Sequence, residues 1–124
     1  MKTRIFCKEM FGILIEFAKD NKAVTETIDN VAEAVVSYLM QKSITLSVAE
    51  SCTGGMLSEA VTSVSGASKV YLGGVCSYTE EMKMQVLGVK EETLEKYTAY
   101  SGQVASEMSR GVMELTGSVV SVGI

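Results

Sequence analysis

The pattern of apolar and polar positions changes several times along the chain, and each change predicts a different element. Between residues 27 and 40, apolar side chains recur every three or four positions with polar ones between them, which is typical of an amphipathic helix. Residues 44–49 are rich in β-favouring types and predict a buried strand. The helical spacing returns at residues 53–64, so a second helix is expected directly after a short polar turn.

The second half of the chain repeats this alternation of strand and helix. Gly73 and Gly74 interrupt an otherwise strand-like segment, which predicts a bulge or a close approach of two backbones. Gly88 and Gly117 each follow a helical pattern, as expected of residues that end helices. The predicted elements are a strand at residues 70–78, helices at 80–87 and 91–97, a longer helix capped by Ser101, and a third strand at 119–122.

Strands that alternate with helices imply crossover connections and therefore a mainly parallel sheet. We expect an α/β fold of three layers, with helices packed on the sheet, in a domain at residues 28–124. Residues 1–27 are expected to form an N-terminal extension, for which the apolar spacing at residues 4–18 predicts a helix. The strand at 119–122 is apolar on both faces, as a central strand should be, and the chain ends two residues later. We therefore expect further C-terminal strands to be missing.

Composition and charge narrow the classes of function. The 124 residues carry a net charge of −4, which argues against a nucleic-acid-binding face, and no segment reaches the roughly 18 apolar residues of a membrane span. Glu9 and Glu16 interrupt any signal-like apolar core near the start, so we expect a cytoplasmic protein. In such a reducing compartment the three cysteines are expected to be free thiols, and because they form no metal-binding pair and histidine is absent, no zinc site is expected. Without histidine, a general base must be Lys, Tyr, Asp or Glu. Proline is also absent, although usage of about 5% would predict several.

The turn between the first strand and the second helix concentrates reactive side chains, and each has two interpretations. Ser51 is placed to act as a nucleophile helped by the helix dipole, or to cap the helix N-terminus, as Thr53 also could. Cys52 is a rival nucleophile or a small buried residue. Gly54 and Gly55 suit the approach of a phosphate to backbone amides, or close packing of the helix on the sheet.

A second polar segment, residues 77–83, follows the next predicted strand. Because the carboxyl ends of parallel strands share one edge of a sheet, Tyr78 and Lys83 are expected to face Ser51 across a cleft. A lysine removed from water there could lose its proton and serve as the base for Ser51, which is the role that histidine cannot fill here. The alternative is a solvated lysine beside the neighbouring glutamates, as most lysines are.

Four motifs in this order resemble the C-terminal domain of the competence-damage-inducible protein family CinA, which includes stand-alone nicotinamide mononucleotide deamidases. They read AESCTGG at residues 49–55, VSGAS at 64–68, GVCSYTEEMK at 74–83 and LGV at 87–89. The resemblance implies an enzyme without metal or cofactor that hydrolyses the carboxamide of nicotinamide mononucleotide, giving nicotinate mononucleotide and ammonia. It implies Ser51 as the nucleophile, Lys83 as its base and Tyr78 as a hydrogen-bonding partner, and it makes Cys52 a neighbour only.

The resemblance also suggests substrate contacts, and two departures from the family pattern accompany it. The candidate substrate or oxyanion contacts are Glu50, Thr53, Gly54, Gly55 and Ser101. The family segment around Ser101 carries a glutamate where this chain has Gly102. Family members also continue beyond a strand like residues 119–122 into a Thr-Gly-Ile-Ala-Gly-Pro loop and further strands, so this chain is expected to be truncated.

The alternative function is a non-catalytic module that binds the nucleotide or a protein partner, linked to competence or to the response to DNA damage. Under the enzymatic hypothesis the partner is a small-molecule substrate, nicotinamide mononucleotide. Neither nucleic acid nor a membrane is expected as a partner, and the sequence leaves a homodimer open.

Overall fold

A computed structural model of the chain describes residues 28–124, so the predicted helical extension at residues 1–27 lies outside the described residues. Three strands and five α-helices follow one another in the described part. They are α1 (Ile28–Lys42), β1 (Leu46–Glu50), α2 (Met56–Thr62), a short 3-10 helix (Ala67–Lys69), β2 (Tyr71–Cys76), α3 (Glu80–Leu87), α4 (Glu91–Tyr97), α5 (Gly102–Thr116) and β3 (Val120–Gly123).

The strands form one parallel sheet in the order β2-β1-β3. Every residue of β1 is buried, as expected of a central strand covered on both faces. The predicted α/β fold with a parallel sheet is therefore confirmed. The third strand has the apolar pattern of a central strand but was expected to leave one edge of the sheet open in this chain, and within the described residues β3 pairs only with β1 and lies at an edge of the sheet. Strand order depends on long-range pairing, which an apolar run does not specify.

Helices cover both faces of the sheet, which confirms the three layers. On one face, α1, α2 and the 3-10 helix pack on side chains such as Val48 and Val120. On the other face, α3, α4 and α5 enclose Ala49 and Val75 with a second apolar cluster that includes Val104 and Met108. The alternation of side chains along each strand separates the two clusters, because successive residues point to opposite faces.

The pairing of β1 with β2 contains the irregularity that the two glycines predicted. The register shifts opposite Leu46 and Ser47, so that Leu72 is the extra residue, one position before Gly73. A Cβ atom on Gly74 would lie 2.6 Å from the carbonyl oxygen of Val48. Glycine is therefore required at position 74 by a close approach of two backbones.

Helix ends agree with the predicted positions for the later helices. Thr79 caps α3 by accepting the amide of Met82, and Gly88 ends that helix in the left-handed conformation. Ser101 caps α5 in the same way, and Gly117 ends it. The carboxyl-terminal end of β3 packs against the first half of α5, since a Cβ atom on Gly123 would overlap the carbonyl oxygen of Ala105. The start of α5 therefore lies at the carboxyl edge of the sheet.

The second helix is shorter than predicted. It was expected from residue 53, but α2 begins at Met56. Gly54 and Gly55 have φ angles of 61° and 102°, which are left-handed and cannot belong to a right-handed helix. Residues 51–55 are therefore a turn that separates β1 from α2.

Candidate active site

Ser51 and Lys83 meet at the carboxyl edge of the sheet. The Nζ atom of Lys83 donates a hydrogen bond of 2.9 Å to the Oγ atom of Ser51. Ser51 is half-buried in the turn after β1, whereas Lys83 is only 2% exposed although lysine is seldom buried. The expectation that these two residues face each other is matched by this contact, and the interpretation of Lys83 as a solvated lysine is wrong.

Two elements place the amine of Lys83. The residue lies in the first turns of α3, which Thr79 caps, and its own backbone N–H donates to the carbonyl oxygen of Thr79. Its Nζ atom donates a second hydrogen bond of 2.9 Å to the carbonyl oxygen of Tyr78. Both oxygen atoms that accept from Nζ are uncharged. The amine is thus held by one contact to the turn after β1 and one to the loop after β2.

Tyr78 contacts Lys83 through its backbone and not through its phenol. The side chain of Tyr78 is 86% exposed at the start of the loop that follows β2. The resemblance assigned a hydrogen-bonding role to Tyr78 without naming the atom. The carbonyl oxygen now has a defined contact, and the exposed hydroxyl is available to a molecule in solution.

Glu50, the last residue of β1, is completely buried with its carboxylate turned into the chain. One carboxylate oxygen accepts from the hydroxyl of Thr53 and the amide of Leu57, and the other from the hydroxyl and the amide of Ser58. Burial alone would raise the pKa of Glu50, but these four hydrogen bonds outweigh it and lower the pKa to about 2. The carboxylate is therefore charged and its acceptor positions are filled.

This buried carboxylate changes the interpretation of the turn. Leu57 and Ser58 carry amides at the start of α2, where an anion is favoured, and Glu50 already supplies that anion. The predicted capping of this helix by Ser51 or Thr53 is wrong, since Gly55 stands at the cap position and no side chain caps from there. Glu50 therefore holds the turn in place and has no surface left for a substrate.

The remaining predicted contacts are distributed around this turn and at the start of α5. Thr53 is half-buried, and its hydroxyl donates a hydrogen bond to the carboxylate of Glu50. Gly54 is exposed, and Gly55 is half-buried. Ser101 accepts the amide of Val104 and donates to the carbonyl oxygen of Thr98, so its hydroxyl is used within α5 and the preceding loop.

Sequence reasoning did not single out Ser77 or Ser58. Ser58 lies in the first turn of α2, where a hydroxyl can serve an acceptor on a neighbouring strand, and it also accepts from the hydroxyl of Tyr71. Ser77 follows β2 directly and is buried. Glu50 is the signal that could have found Ser58, because a carboxylate at the end of a buried strand requires several donors nearby, whereas no pattern in the sequence singles out Ser77.

Three further observations concern the described residues. Cys52 and Cys76 are exposed free thiols, whereas Cys7 lies outside the described residues. Within residues 28–124, no group of three His, Cys, Asp or Glu side chains could hold a metal ion. No helix in this part of the chain is long and apolar enough to cross a membrane.

Comparisons with known proteins match the part of the chain that the structure describes. The family model of the CinA C-terminal domain matches residues 28–124. A CinA-like protein of Thermotoga neapolitana is 50% identical over 96 residues, which cover 77% of this chain and 24% of that relative. The chain thus spans about a quarter of the length of that curated relative.

Solved structures agree with this similarity. A CinA superfamily protein of Escherichia coli is 38% identical with a TM-score of 0.75, over 77% of this chain and 56% of that one. A competence or damage-inducible protein of Enterobacter asburiae is 34% identical with a TM-score of 0.76, over 78% of this chain and 61% of that one.

Proposed function

This chain belongs to the CinA C-terminal domain family, and from that membership we propose that it contributes the site of an amide hydrolase. The proposed substrate is nicotinamide mononucleotide, and the products are nicotinate mononucleotide and ammonia. The hydrogen bond of 2.9 Å between Lys83 and Ser51 is the observation that carries the proposal. A serine hydroxyl becomes a useful nucleophile when an adjacent base can take its proton, and a buried lysine is one of the few bases that this histidine-free chain offers.

In the first step, the Oγ atom of Ser51 attacks the carboxamide carbon while its proton passes to the neutral amine of Lys83. A new C–O bond forms, the carbonyl π bond opens, and the oxygen carries the negative charge. Lys83, now an ammonium, returns the proton to the amide nitrogen as the C–N bond breaks. Ammonia leaves, and the nicotinoyl group remains as an ester of Ser51.

In the second step, water attacks the ester carbon and gives a proton to Lys83. The C–O bond to Ser51 breaks, the proton returns from Lys83 to the Oγ atom, and the carboxylic acid departs. One amide and one water are consumed, and one acid and one ammonia are formed, so Ser51 and Lys83 return to their starting states. The fixed turn contributes by holding Ser51 in one geometry before substrate arrives.

The other predicted site residues are assigned either to contacting the substrate or to supporting the local structure. Tyr78 presents an exposed phenol beside the site, and we assign that hydroxyl to the substrate. Gly54 and Gly55 remain proposed substrate contacts through their backbone, whereas Glu50 and Thr53 are assigned to holding the turn. Ser101 is assigned to capping α5.

The test is ammonia release from nicotinamide mononucleotide by the full chain and by three variants. We expect Ser51→Ala and Lys83→Arg to lose several orders of magnitude in kcat, about 10³-fold or more, because a guanidinium cannot accept the serine proton. Cys52→Ser changes the exposed neighbour of Ser51 and should retain activity. Full activity in Ser51→Ala would contradict the assigned nucleophile.

The alternative, a module that binds without turnover, is separated in the same preparation. Calorimetric binding of the mononucleotide without ammonia release by the unmodified chain would support the module. Ammonia release that depends on Ser51 would exclude it.

A further inference from the structure

The hydroxyl of Ser77 is buried without a hydrogen-bond partner, which sets it apart among the buried side-chain groups of the described residues. The residue is only 1% exposed. A buried hydroxyl without a partner destabilises a fold, and an alanine of nearly the same volume would avoid that. The presence of a serine at this position therefore calls for an explanation outside stability.

Ser77 and Ser51 directly follow the last paired residues of β2 and β1, Cys76 and Glu50. The backbone N–H of Ser77 donates a hydrogen bond of 2.8 Å to the carbonyl oxygen of Glu50, which is a ladder bond of that last pair. The two serines therefore follow neighbouring strand ends at the carboxyl edge of the sheet. Val75, two residues earlier on β2, packs on the face covered by α3 and α5. Alternation places the Ser77 side chain on that same face.

Ser77 also lies next to the second residue that holds the lysine. The Nζ atom of Lys83 contacts Ser51 on one side and the carbonyl oxygen of Tyr78 on the other, both at 2.9 Å. Ser77 is joined to Tyr78 by a peptide bond, and its backbone N–H is bonded to Glu50, the residue before Ser51. Both residues that hold the amine are therefore directly connected to the backbone segments that pair at Ser77.

An amine and an ammonium differ in the number of acceptors that they need. Protonated Lys83 presents three N–H donors, and two acceptors are in place, Ser51 and the carbonyl of Tyr78. Lys83 is 2% exposed, so its third donor cannot rely on bulk solvent. The unpaired hydroxyl of Ser77, the residue before Tyr78, can accept a hydrogen bond from this third donor.

We propose that Ser77 is a positioning residue that accepts the third N–H of Lys83 when the lysine becomes an ammonium. The inference rests on the proposed function only in that Lys83 takes the proton of Ser51. That proton moves from Oγ of Ser51 to Nζ of Lys83, and Ser77 keeps its own proton and forms no covalent bond. A hydrogen bond from a charged donor is stronger than one between neutral groups, so Ser77 stabilises the charged state more than the resting state.

The test compares Ser77→Ala with Ser77→Thr, which keeps the hydroxyl. Ser47→Ala is the matched control, because Ser47 is a fully buried serine of β1 that already has a partner, Ser118, at 2.7 Å. Two readouts are measured on the full chain: kcat and KM for ammonia release, and the rate at which a fluorophosphonate labels Ser51. The labelling reports the activation of the serine and does not depend on the identity of the substrate.

We expect Ser77→Ala to lower both kcat and the labelling rate by about 10- to 100-fold, the usual effect of losing a hydrogen bond to a charged group, with KM nearly unchanged. Ser77→Thr should recover most of the loss, and the thermal stability of Ser77→Ala should equal or exceed that of the unmodified chain. Ser47→Ala should lose stability and keep both rates.

Wild-type labelling and kcat in Ser77→Ala would overturn the inference, as would a chain whose Ser51 is neither labelled nor active. A chain that releases no ammonia but labels Ser51 in a Ser77-dependent way would sustain the inference and reject the proposed substrate. The two proposals therefore fail separately.

Discussion

At the scale of single residues, Glu50 shows how a buried charge can hold a turn in place. Its carboxylate is fully buried and fixes the start of α2 through the amides of Leu57 and Ser58. Ser51 follows Glu50 directly, so the peptide that carries the proposed nucleophile is attached to an immobile neighbour. Such a rigid support is what a reactive side chain needs in order to keep one orientation.

Glu50 leads to a prediction on acid stability. Its pKa of about 2 in the folded chain lies below the roughly 4.3 of an unfolded glutamate, so its contribution is complete above about pH 4.3 and is lost as the pH falls towards 2. The difference corresponds to about 3 kcal/mol. We expect Glu50→Gln to lower the free energy of unfolding at pH 7 by about that amount, because an amide group cannot accept from every donor around it.

Denaturant unfolding of Glu50→Gln between pH 2 and pH 7 checks this expectation, with Glu59→Gln as the control, because Glu59 is an exposed glutamate of α2. The decrease in the free energy of unfolding with falling pH should be smaller in Glu50→Gln, but it should not vanish. Burial raises the pKa of Glu107, but hydrogen bonds from the Lys90 amide and the Thr93 hydroxyl lower it overall, so a second group acts in the same direction. Equal stability of the two variants at pH 7 would contradict the assigned role of Glu50.

At the scale of elements, the position of Lys83 depends on how α3 packs against α5. A Cβ atom on Gly111, in the middle of α5, would overlap the carbonyl oxygen of Leu87 at the end of α3. The two helices thus touch backbone to backbone at this point. Since α3 carries Lys83, a change of this contact moves the amine relative to Ser51.

We predict that Gly111→Ala destabilises the fold by about 1–3 kcal/mol, although alanine favours helices, because the added methyl group forces α3 outward. The labelling rate of Ser51 should fall as well. Gly102→Ala is the matched control, since a Cβ atom there meets nothing within 4 Å. Thermal denaturation of both variants decides the matter, and a Gly111→Ala protein as stable as Gly102→Ala would show that the helix contact is adaptable.

The sequence predicted the later helices better than the earlier one, and the difference has a physical cause. Helices α3 and α5 carry local end signals, a hydroxyl cap at the start and a left-handed glycine at the end, so their limits could be derived from neighbouring residues. Helix α2 is held from outside by Glu50, which lies seven residues before Leu57, the first helix residue whose amide donates to it. This helix is shorter than predicted because the glycines of the preceding turn have left-handed dihedral angles. The spacing of apolar residues does not predict those angles.

At the scale of the whole molecule, the alternation of strands and helices was sufficient to predict a parallel sheet in three layers. It did not predict the strand order, because β1 lies between the two later strands through pairings that join distant parts of the chain. The contact of Ser51 with Lys83 could be predicted only in part from the order of strands and helices. Parallel strands brought the two segments to one edge, but only the family resemblance favoured Lys83 over an ordinary solvated lysine.

The sheet also leads to a prediction on association. Val119, before β3, is 47% exposed and Ile124, after it, is 37% exposed, and β3 lies at an edge of the described sheet. Unpaired backbone groups next to exposed apolar side chains favour pairing with another chain. We therefore expect the 124-residue chain to self-associate with increasing concentration in size-exclusion chromatography.

A charge at the responsible edge should weaken this association. Val119→Lys tests the edge at β3, and Leu72→Lys, on the opposite edge strand, is the matched comparison because Leu72 is also 47% exposed. Dispersal by Leu72→Lys alone would assign the contact to β2. A monomeric chain at all concentrations would show that the exposed edge is tolerated.

The hydrogen bond from Lys83 to Ser51 joins residues 32 positions apart and depends on two strands that are paired. While the chain is being synthesised, Ser51 leaves the ribosome well before Lys83, and until α3 has followed and docked it is an ordinary alcohol. The contact of Ser51 with Lys83 thus forms only together with the native sheet. Under the proposed mechanism, a misfolded or partly made chain therefore has no base beside Ser51 and no activated serine.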